Sequence, residues 1–184
     1  DVAIIGAGAS GLMCAARAGF RKERVLVIDN GPKPGRKILM AGGGKCNFTN
    51  TNVTDANYIC SNPHFVKSAL SRFSNHDFID MVESFNIAYH ERGHGRLFCD
   101  KSSADILNML TSQVETAGAV ILTNSPVSAV KRHESSGMFH LKAGNRKIET
   151  PCLVVAAGGV CYPSAGATPL GYKIAEHFGI KVVT

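Results

Sequence analysis

Short apolar runs, glycine turns and amphipathic stretches alternate along the chain and predict its elements. Val2–Ile5 is a continuous apolar run that ends in glycine, as is typical of a strand buried in a parallel sheet. Residues 10–19 are rich in small side chains and predict a helix, and Val25–Ile28 predicts a second buried strand. These segments make a β-α-β unit of about thirty residues, the size at which such units occur.

The same patterns predict an α/β chain beyond this unit. Residues 30–50, with two prolines and three consecutive glycines, are predicted as a loop. We expect helices at 63–73, 77–85, 102–116 and 169–178, a hairpin at 87–98, strands at 119–122 and 153–156, a meander at Val127–Arg132, 138–142 and 147–150, and a further strand beginning at 182–184. The predicted class is therefore a Rossmann-like domain with a parallel central sheet and a small antiparallel β-meander.

A Gly-x-Gly-x-x-Gly motif lies directly between the first strand and the first helix. In such motifs the first glycine allows a tight turn, the second admits a pyrophosphate against the backbone, and the third lets helix and strand pack closely. The helix N-terminus then holds the phosphates with its amide groups. An aspartate ends the second strand about 20 residues later, placed to accept hydrogen bonds from an adenosine ribose. The predicted dinucleotide-binding residues are Gly6, Ala7, Gly8, Ala9, Ser10, Gly11 and Asp29.

The end of the late strand resembles the second dinucleotide contact of two-domain flavoproteins, where a strand ends in Ala-Thr-Gly beneath the cofactor. Here the strand at 153–156 is followed by Ala157, Gly158 and Gly159. Ala157 replaces the usual threonine, which removes a hydroxyl but leaves the close backbone approach. A preceding meander is also a feature of those flavoproteins, and Val127 at its start is a further predicted cofactor contact. This favours FAD over NAD(P) as the bound dinucleotide.

A long loop motif carries a family resemblance. Residues 35–50 read GRKILMAGGGKCNFTN and closely resemble the loop of the BaiN/YhiN-type FAD flavoproteins, the aminoacetone-oxidase-like and 3-dehydro-bile-acid-reductase-like oxidoreductases. GRLF at 95–98 and matches within 154–172 extend the resemblance over nearly the whole chain. The sequence departs from the family pattern at Lys45, where arginine is usual, and at Cys99, where proline is expected.

The resemblance implies an FAD-dependent oxidoreductase that passes a hydride between a small organic substrate and the flavin, with NAD(P)H or oxygen completing the cycle. It also implies a longer protein, of which residues 1–184 are the N-terminal portion of the FAD-binding domain. An inserted substrate domain and a C-terminal closing segment would lie outside this chain, so catalytic side chains and substrate cannot be assigned. The alternative is a nucleotide-binding module without redox catalysis, which would have no reason to carry the loop at 35–50.

The residues of this loop suit contact with a flavin. Three consecutive glycines let bare backbone lie against a flat ring, and basic side chains supply charge toward a pyrophosphate or a reduced flavin. A paired redox cysteine is not indicated, because Thr51 stands where a CxxxxC motif would need its second cysteine, and this favours a structural thiol. The predicted cofactor contacts of the loop are Arg36, Lys37, Gly42, Gly43, Gly44, Lys45, Cys46 and Asn47.

Charge and cysteine usage narrow the class of partner and compartment. The chain has 184 residues and a formal net charge of +6, but its Lys and Arg are scattered along the sequence. A nucleic-acid surface would show a basic stripe with stacking aromatics. We therefore expect a small-molecule substrate and no nucleic-acid or membrane partner, with the oligomeric state left open. Six dispersed cysteines without a CxxC pair favour a reducing, cytoplasmic location.

Two further motifs fail on their context. HERGH at 90–94 matches the HExxH zinc pattern, but that pattern needs a helix that puts both histidines on one face. Glycines interrupt this stretch between β-like runs, so we expect no metal site. The Gly-Lys pair at 44–45 is not a phosphate loop, because Leu39 and Cys46 occupy the positions that require glycine and Ser or Thr.

Overall fold

The computed structural model describes residues 1–183, and the chain divides into two compact units. The first unit comprises Asp1–Lys37 and the chain from Leu110 onward, and the second comprises Ile38–Met109. The strands are β1 (Val2–Ile5), β2 (Val25–Ile28), β3 (Asn47–Asn50), β4 (Tyr89–Arg92), β5 (Arg96–Cys99), β6 (Val120–Leu122), β7 (Val127–Arg132), β8 (Phe139–Ala143), β9 (Arg146–Thr150) and β10 (Cys152–Val155). The α-helices are α1 (Ala9–Gly19), α2 (Arg36–Met40), α3 (Lys67–Arg72), α4 (Asn75–Ser84), α5 (Ser103–Thr116) and α6 (Leu170–His177).

The first unit is built on a parallel sheet with the strand order β10-β1-β2-β6. The register places Ile4 beside Val27, and both side chains are fully buried. These side chains are buried because both faces of a parallel sheet are covered by other elements. Helix α1 contacts β1 and β2, and its buried side includes Leu12, Ala15 and Ala16. The two alanines let the helix approach the sheet closely.

An antiparallel meander, β7-β8-β9, packs on the sheet of the same unit. Side chains alternate between the faces of a strand, so the residues that neighbour Ile4 in sequence point the other way. They form a hydrophobic core with the meander and with α6. The buried members of this core are Ala3, Ile5, Ile28, Val130, Leu141, Ala143 and Ile174.

The second unit contains an antiparallel sheet of order β3-β5-β4, in which β4 and β5 form a hairpin. Helix α4 begins with a capping box: Asp77 N donates to Ser74 Oγ at 3.2 Å, and Ser74 N donates to Asp77 Oδ2 at 2.6 Å. Phe48 of β3 contacts the rings of Phe78 and Tyr89, with centroids 6.0 and 5.5 Å apart. These aromatic contacts join α4 to the sheet.

The predicted α/β class, with a parallel central sheet and an antiparallel meander, is confirmed. The loop predicted at 30–50 is wrong in part, because it contains α2, a tight turn at Ala41–Gly44 and β3. Strand β3 has the polar sequence NFTN and no apolar alternation, so only its pairing with β5 reveals it. Residues 182 and 183 form no strand, and Thr184 lies outside the described residues.

Within the described residues, no helix is long and apolar enough to cross a membrane.

Candidate functional site

The Gly-x-Gly-x-x-Gly motif at 6–11 forms the turn between β1 and α1, here called the fingerprint turn. Its three glycines have different surroundings. Gly6 has a φ of 107°, and a Cβ there would collide with the carbonyl oxygen of Ala156. A Cβ on Gly11 would collide with the carbonyl oxygen of Gly6. Gly8 is extended, and a Cβ there would meet none of the described atoms within 4 Å. The packing of the protein itself thus requires Gly6 and Gly11, whereas Gly8 borders open space.

This open space lies at the N-terminus of α1, for which Gly8 is the N-cap. Gly8 has no side chain that could cap the helix, and the first turn of α1 contains no acidic residue. The first amide groups of a helix have no intrahelical acceptor, and together with the macrodipole they attract anions. The turn therefore fits the pyrophosphate of a dinucleotide such as FAD.

Asp29 follows β2 and anchors the fingerprint turn. Its Oδ2 accepts a hydrogen bond from Ala7 N at 2.8 Å, and its Oδ1 accepts one from Gly31 N at 2.8 Å. The side chain is 13% exposed, and Arg36 Nη2 lies 3.5 Å from Oδ1. Because each carboxylate oxygen can accept more than one hydrogen bond, the Asp29 carboxylate can also accept one from a ribose hydroxyl. The sequence motif identified Asp29, but it did not predict the hydrogen bond that Asp29 accepts from Ala7 N.

Arg36 occupies a space made by two glycines. Its guanidinium would collide with a Cβ on Gly31 or on Gly166. Arg36 Nη2 donates to Asn30 Oδ1 at 2.7 Å, and Asn30 Nδ2 donates to the Gly166 carbonyl at 3.3 Å. This chain of contacts ties the segment after β2 to the segment after β10. Sequence reasoning missed Asn30, Gly31 and Gly166, although the two glycines were a signal that a large side chain packs against bare backbone.

Lys37 reaches the glycines that follow β10. Its Nζ donates to the Gly159 carbonyl at 3.4 Å, and a Cβ on Gly158 would lie 2.9 Å from the same Nζ. Ala157 packs against the hydrophobic core of the first unit. The fingerprint turn, the segment after β2 and the segment after β10 thus gather at the carboxyl ends of adjacent parallel strands. This is the position at which open α/β sheets bind ligands.

Val127 begins β7, and its side chain packs against the same hydrophobic core. A cofactor contact at this position would therefore involve the backbone rather than the side chain. The predicted contact of Val127 stays a prediction.

The glycine loop of the second unit is a left-handed turn. Gly42, Gly43 and Gly44 have φ values of 58°, 65° and 84°. A Cβ on Gly42 would lie 2.9 Å from the ring of Phe98 and 2.7 Å from Asn47 N. At Gly43 and Gly44 a Cβ would meet none of the described atoms within 4 Å. The loop therefore presents bare backbone at these two positions, and its contact with a flavin stays a prediction.

Lys45 has a structural role within the second unit. Its Nζ donates to the carbonyl oxygens of Asp100 and Lys101, both at 2.8 Å. These carbonyls belong to the segment between β5 and α5, so the ammonium holds the glycine loop to that segment. The predicted contact of Lys45 with the cofactor stays a prediction.

Cys46 and Cys99 are both buried in the second unit. Burial raises the pKa of the Cys46 thiol. Burial, and next the neighbouring Cys46, raise the pKa of the Cys99 thiol to about 11. Both thiols are thus protonated at neutral pH, and a protonated thiol is a poor nucleophile. This agrees with the structural interpretation of Cys46.

We expect iodoacetamide at about pH 8 to label Cys60 and Cys161 well before Cys46 and Cys99, because only thiolates react and the raised pKa values keep the buried pair protonated. Cys60 and Cys161 are exposed. Peptide mapping by mass spectrometry after timed alkylation gives the order of labelling, and unfolded protein, in which all cysteines react, is the control. Labelling of Cys99 as fast as Cys60 in the folded protein would contradict the expectation.

The HExxH sequence at 90–94 lies on the β4–β5 hairpin, so the prediction that its geometry is not helical is confirmed. His90 Nδ1 lies 2.6 Å from Asp100 Oδ1, and His90 Nε2 accepts from Arg92 Nε at 2.9 Å. Both ring nitrogens are therefore engaged. In the part of the chain that the structure describes, no group of three His, Cys, Asp or Glu residues could hold a metal ion.

The chain belongs to the family described as "HI0933-like protein Rossmann domain", which matches residues 1–184. The resemblance to the BaiN/YhiN-type flavoproteins is thereby confirmed. The Rossmann description also agrees with the observed parallel sheet and fingerprint turn.

Three curated relatives match nearly the whole chain. The ribosomal RNA dihydrouridine synthase of Haemophilus influenzae is 51% identical over 182 residues, covering 98% of this chain and 45% of the relative. The Escherichia coli protein of the same name is 49% identical over 183 residues, with 100% and 45% covered. The 3-dehydro-bile acid delta(4,6)-reductase of Clostridium scindens is 28% identical over 181 residues, with 97% and 44% covered. The chain spans less than half the length of these relatives, and its predicted place within a longer FAD-binding domain stays a prediction.

Solved structures show the same fold. The crystal structure of Thermovibrio ammonificans THI4 matches with a TM-score of 0.60 and 14% identity, covering 98% of this chain and 63% of that one. OTEMO in complex with FAD and NADP matches with a TM-score of 0.52 and 15% identity, covering 87% and 25%. At these identities the likeness establishes the fold alone.

The expectation of a small-molecule substrate without a nucleic-acid partner is wrong. The two relatives that are 51% and 49% identical to this chain over the aligned residues are both named for ribosomal RNA. The expectation rested on the scatter of Lys and Arg along the sequence, which does not report where these charges lie in the folded protein.

Proposed function

We propose that this member of the HI0933-like family is an FAD-dependent oxidoreductase that reduces uridine in ribosomal RNA to dihydrouridine. The observation that carries the proposal is the identity of 51% and 49%, over nearly all of the chain, to two proteins named ribosomal RNA dihydrouridine synthase. All three relatives are named as enzymes, which argues against a nucleotide-binding module without catalysis.

The reaction is a two-electron reduction of the base. Dihydrouridine is uridine with two hydrogens added across the C5–C6 double bond. That bond is conjugated to the C4 carbonyl, so a hydride adds at C6 and a proton adds at C5. Bound FAD supplies hydride chemistry of this kind, and NADH or NADPH is the electron donor that balances the reaction.

The first unit supplies groups suited to the ADP portion of FAD. Gly8 leaves space for a pyrophosphate at the uncapped end of α1, where the helix amides can donate to phosphate oxygens. Asp29 holds the turn in shape through Ala7 N and keeps acceptor capacity for a ribose. Lys37, which is exposed, adds positive charge at the same ends of the strands. These residues bind and orient, while the residues that protonate C5 stay unassigned.

The test supplies ribosomal RNA transcribed in vitro, which contains no modified base, to the FAD-loaded protein under anaerobic conditions. We expect mass spectrometry of the digested RNA to detect dihydrouridine only when protein, RNA and NADH or NADPH are all present. FAD-loaded protein that oxidises the pyridine nucleotide yet leaves every uridine unreduced would overturn the proposal. The variant Gly8→Val is the matched control, since it should lack flavin and form no product.

A further inference from the structure

The positive charge of the chain is concentrated in the first unit. That unit carries 14 Lys and Arg residues against 7 Asp and Glu, whereas the second unit carries 6 against 7. The net charge of +6 therefore comes entirely from the first unit. The net charge therefore favours contact with a polyanion on the first unit, whereas the second unit is nearly neutral.

Strand pairing in the meander gathers lysines that are distant in sequence. Lys142 of the central strand β8 lies opposite Ala129 of β7 and Lys147 of β9. In the next row on the same face, Lys131 lies opposite His140. The three lysines are exposed. Directly opposite Cβ atoms are about 4.5–5.5 Å apart, and rows on one face are about 7 Å apart, so three ammonium groups share a small area.

The opposite face of the meander packs against the hydrophobic core of the first unit. Val130 and Leu141 are buried there, and Ile148 is packed against them. Because side chains alternate across a strand, this burial turns the lysine face toward solvent. The lysine face also carries Glu149, which lies 3.4 Å from His140 Nδ1. That carboxylate is thus directed to the imidazole of the central strand.

The arrangement of the lysines is unfavourable for the sheet alone. Like charges directly opposite each other destabilise a strand pair, and Lys142 faces Lys147 in this way. Bound phosphate would offset the repulsion. Lysine ammonium groups on flexible stems bind phosphate as point charges and carry no sequence information, as is typical of backbone contacts to nucleic acid.

We propose that this face, formed by Lys131, Lys142 and Lys147, is a docking surface for the phosphate backbone of the RNA substrate. The inference rests on the proposed function, because it takes RNA as the partner. The surface positions the RNA, and it contributes no group to the reduction of the base.

The test measures RNA binding by the FAD-loaded protein with and without the three lysines. The variant Lys131→Gln/Lys142→Gln/Lys147→Gln is compared with Arg21→Gln/Lys173→Gln/Lys181→Gln, which removes the same charge from exposed positions of the same unit outside the meander. The probe is fluorescein-labelled oligouridine of 20 nucleotides, followed by fluorescence anisotropy between about 50 and 300 mM salt.

We expect the meander variant to bind oligouridine at least about 10-fold more weakly at about 0.1 M salt. The slope of log K against log salt should also become about 2 less steep, because each phosphate contact on a single strand contributes about 0.7 to it. The control variant should stay within about 2-fold of the unmodified protein. Equal losses in the two variants, or none in the meander variant, would overturn the docking surface. Thermal melting and flavin content verify that the variants fold. If the triple variant does not fold, Lys131→Gln alone is measured in its place.

The two proposals fail in different ways. Protein that binds oligouridine through the meander lysines but forms no dihydrouridine leaves the docking surface standing and overturns the proposed function. Protein that forms dihydrouridine, and whose meander variant does so with an unchanged KM for RNA, overturns the docking surface alone. A raised KM for RNA in the meander variant, with an unchanged kcat, supports both.

Discussion

Gly8→Val is expected to abolish retention of FAD while leaving the fold intact. Gly8 is extended, a conformation that valine adopts readily, and a Cβ there would meet none of the described atoms within 4 Å. The cost to the protein should be that of a poorer N-cap, about 0.5–1 kcal/mol. The side chain would instead fill the space that a pyrophosphate needs. Affinity for FAD should fall at least about 100-fold, which corresponds to about 2.7 kcal/mol.

The neighbouring glycines provide matched controls for this variant. A Cβ at Gly11 would collide with the carbonyl oxygen of Gly6, and a Cβ at Gly6 would collide with that of Ala156 and would also be strained at a φ of 107°. Gly11→Ala and Gly6→Ala should therefore lower the free energy of unfolding of the apoprotein by about 1–3 kcal/mol. Gly8→Val should lower that free energy only by the roughly 0.5–1 kcal/mol of the poorer N-cap.

Flavin absorbance of the purified variants and urea unfolding of their apoproteins separate these effects. Folded Gly8→Val protein with undiminished flavin content would refute the assignment of Gly8 to the pyrophosphate. We therefore expect Gly8 to affect FAD binding and Gly6 and Gly11 to affect the stability of the fold, and these two measurements distinguish the two effects.

The fingerprint was predictable because its elements are local. A strand, a turn, a helix and an acid follow one another within about thirty residues, and each leaves its own sequence pattern. The sequence did not distinguish Gly8 from Gly6 and Gly11. That distinction depends on Ala156, which pairing of β1 with β10 brings next to the turn from far along the chain.

Features that depend on distant pairing were missed or misjudged. Strand β3 is polar and became visible only through its pairing with β5. Charge was misjudged for the same reason, because Lys131, Lys142 and Lys147 are scattered in sequence and gathered by the register of the meander. A scattered distribution along a β-meander is therefore no argument against a basic surface. Composition gave the net charge but not its location.

Asp29 shows how one residue can satisfy a motif and a structural need together. The motif assigned its carboxylate to an adenosine ribose. In the structure the same carboxylate accepts hydrogen bonds from Ala7 N and Gly31 N, both at 2.8 Å. Asp29→Ala should therefore reduce both the stability of the apoprotein and its affinity for FAD. If Asp29 contacted only the ribose, the affinity alone would fall.

The expected sizes of these losses follow from the groups left without partners. Asp29→Ala leaves two largely buried backbone donors unsatisfied, which should lower the free energy of unfolding by about 2–4 kcal/mol. Loss of a ribose acceptor costs a further 1–3 kcal/mol or so in binding, so FAD affinity should fall about 5- to 150-fold. Asp29→Asn is the matched control, because its amide oxygen can keep one of the two backbone bonds while its NH₂ group faces the other donor. It should show intermediate losses in both quantities.

Urea unfolding of the apoproteins and titration with FAD measure the two losses independently. Reduced stability with unchanged FAD affinity in the folded protein would make Asp29 an anchor of the turn and nothing more. Reduced affinity with unchanged stability would contradict the two backbone hydrogen bonds. We expect both to fall, because the carboxylate has oxygen lone pairs for the turn and for a ribose at the same time. The acid that shapes the turn would then also bind the ligand that the turn receives.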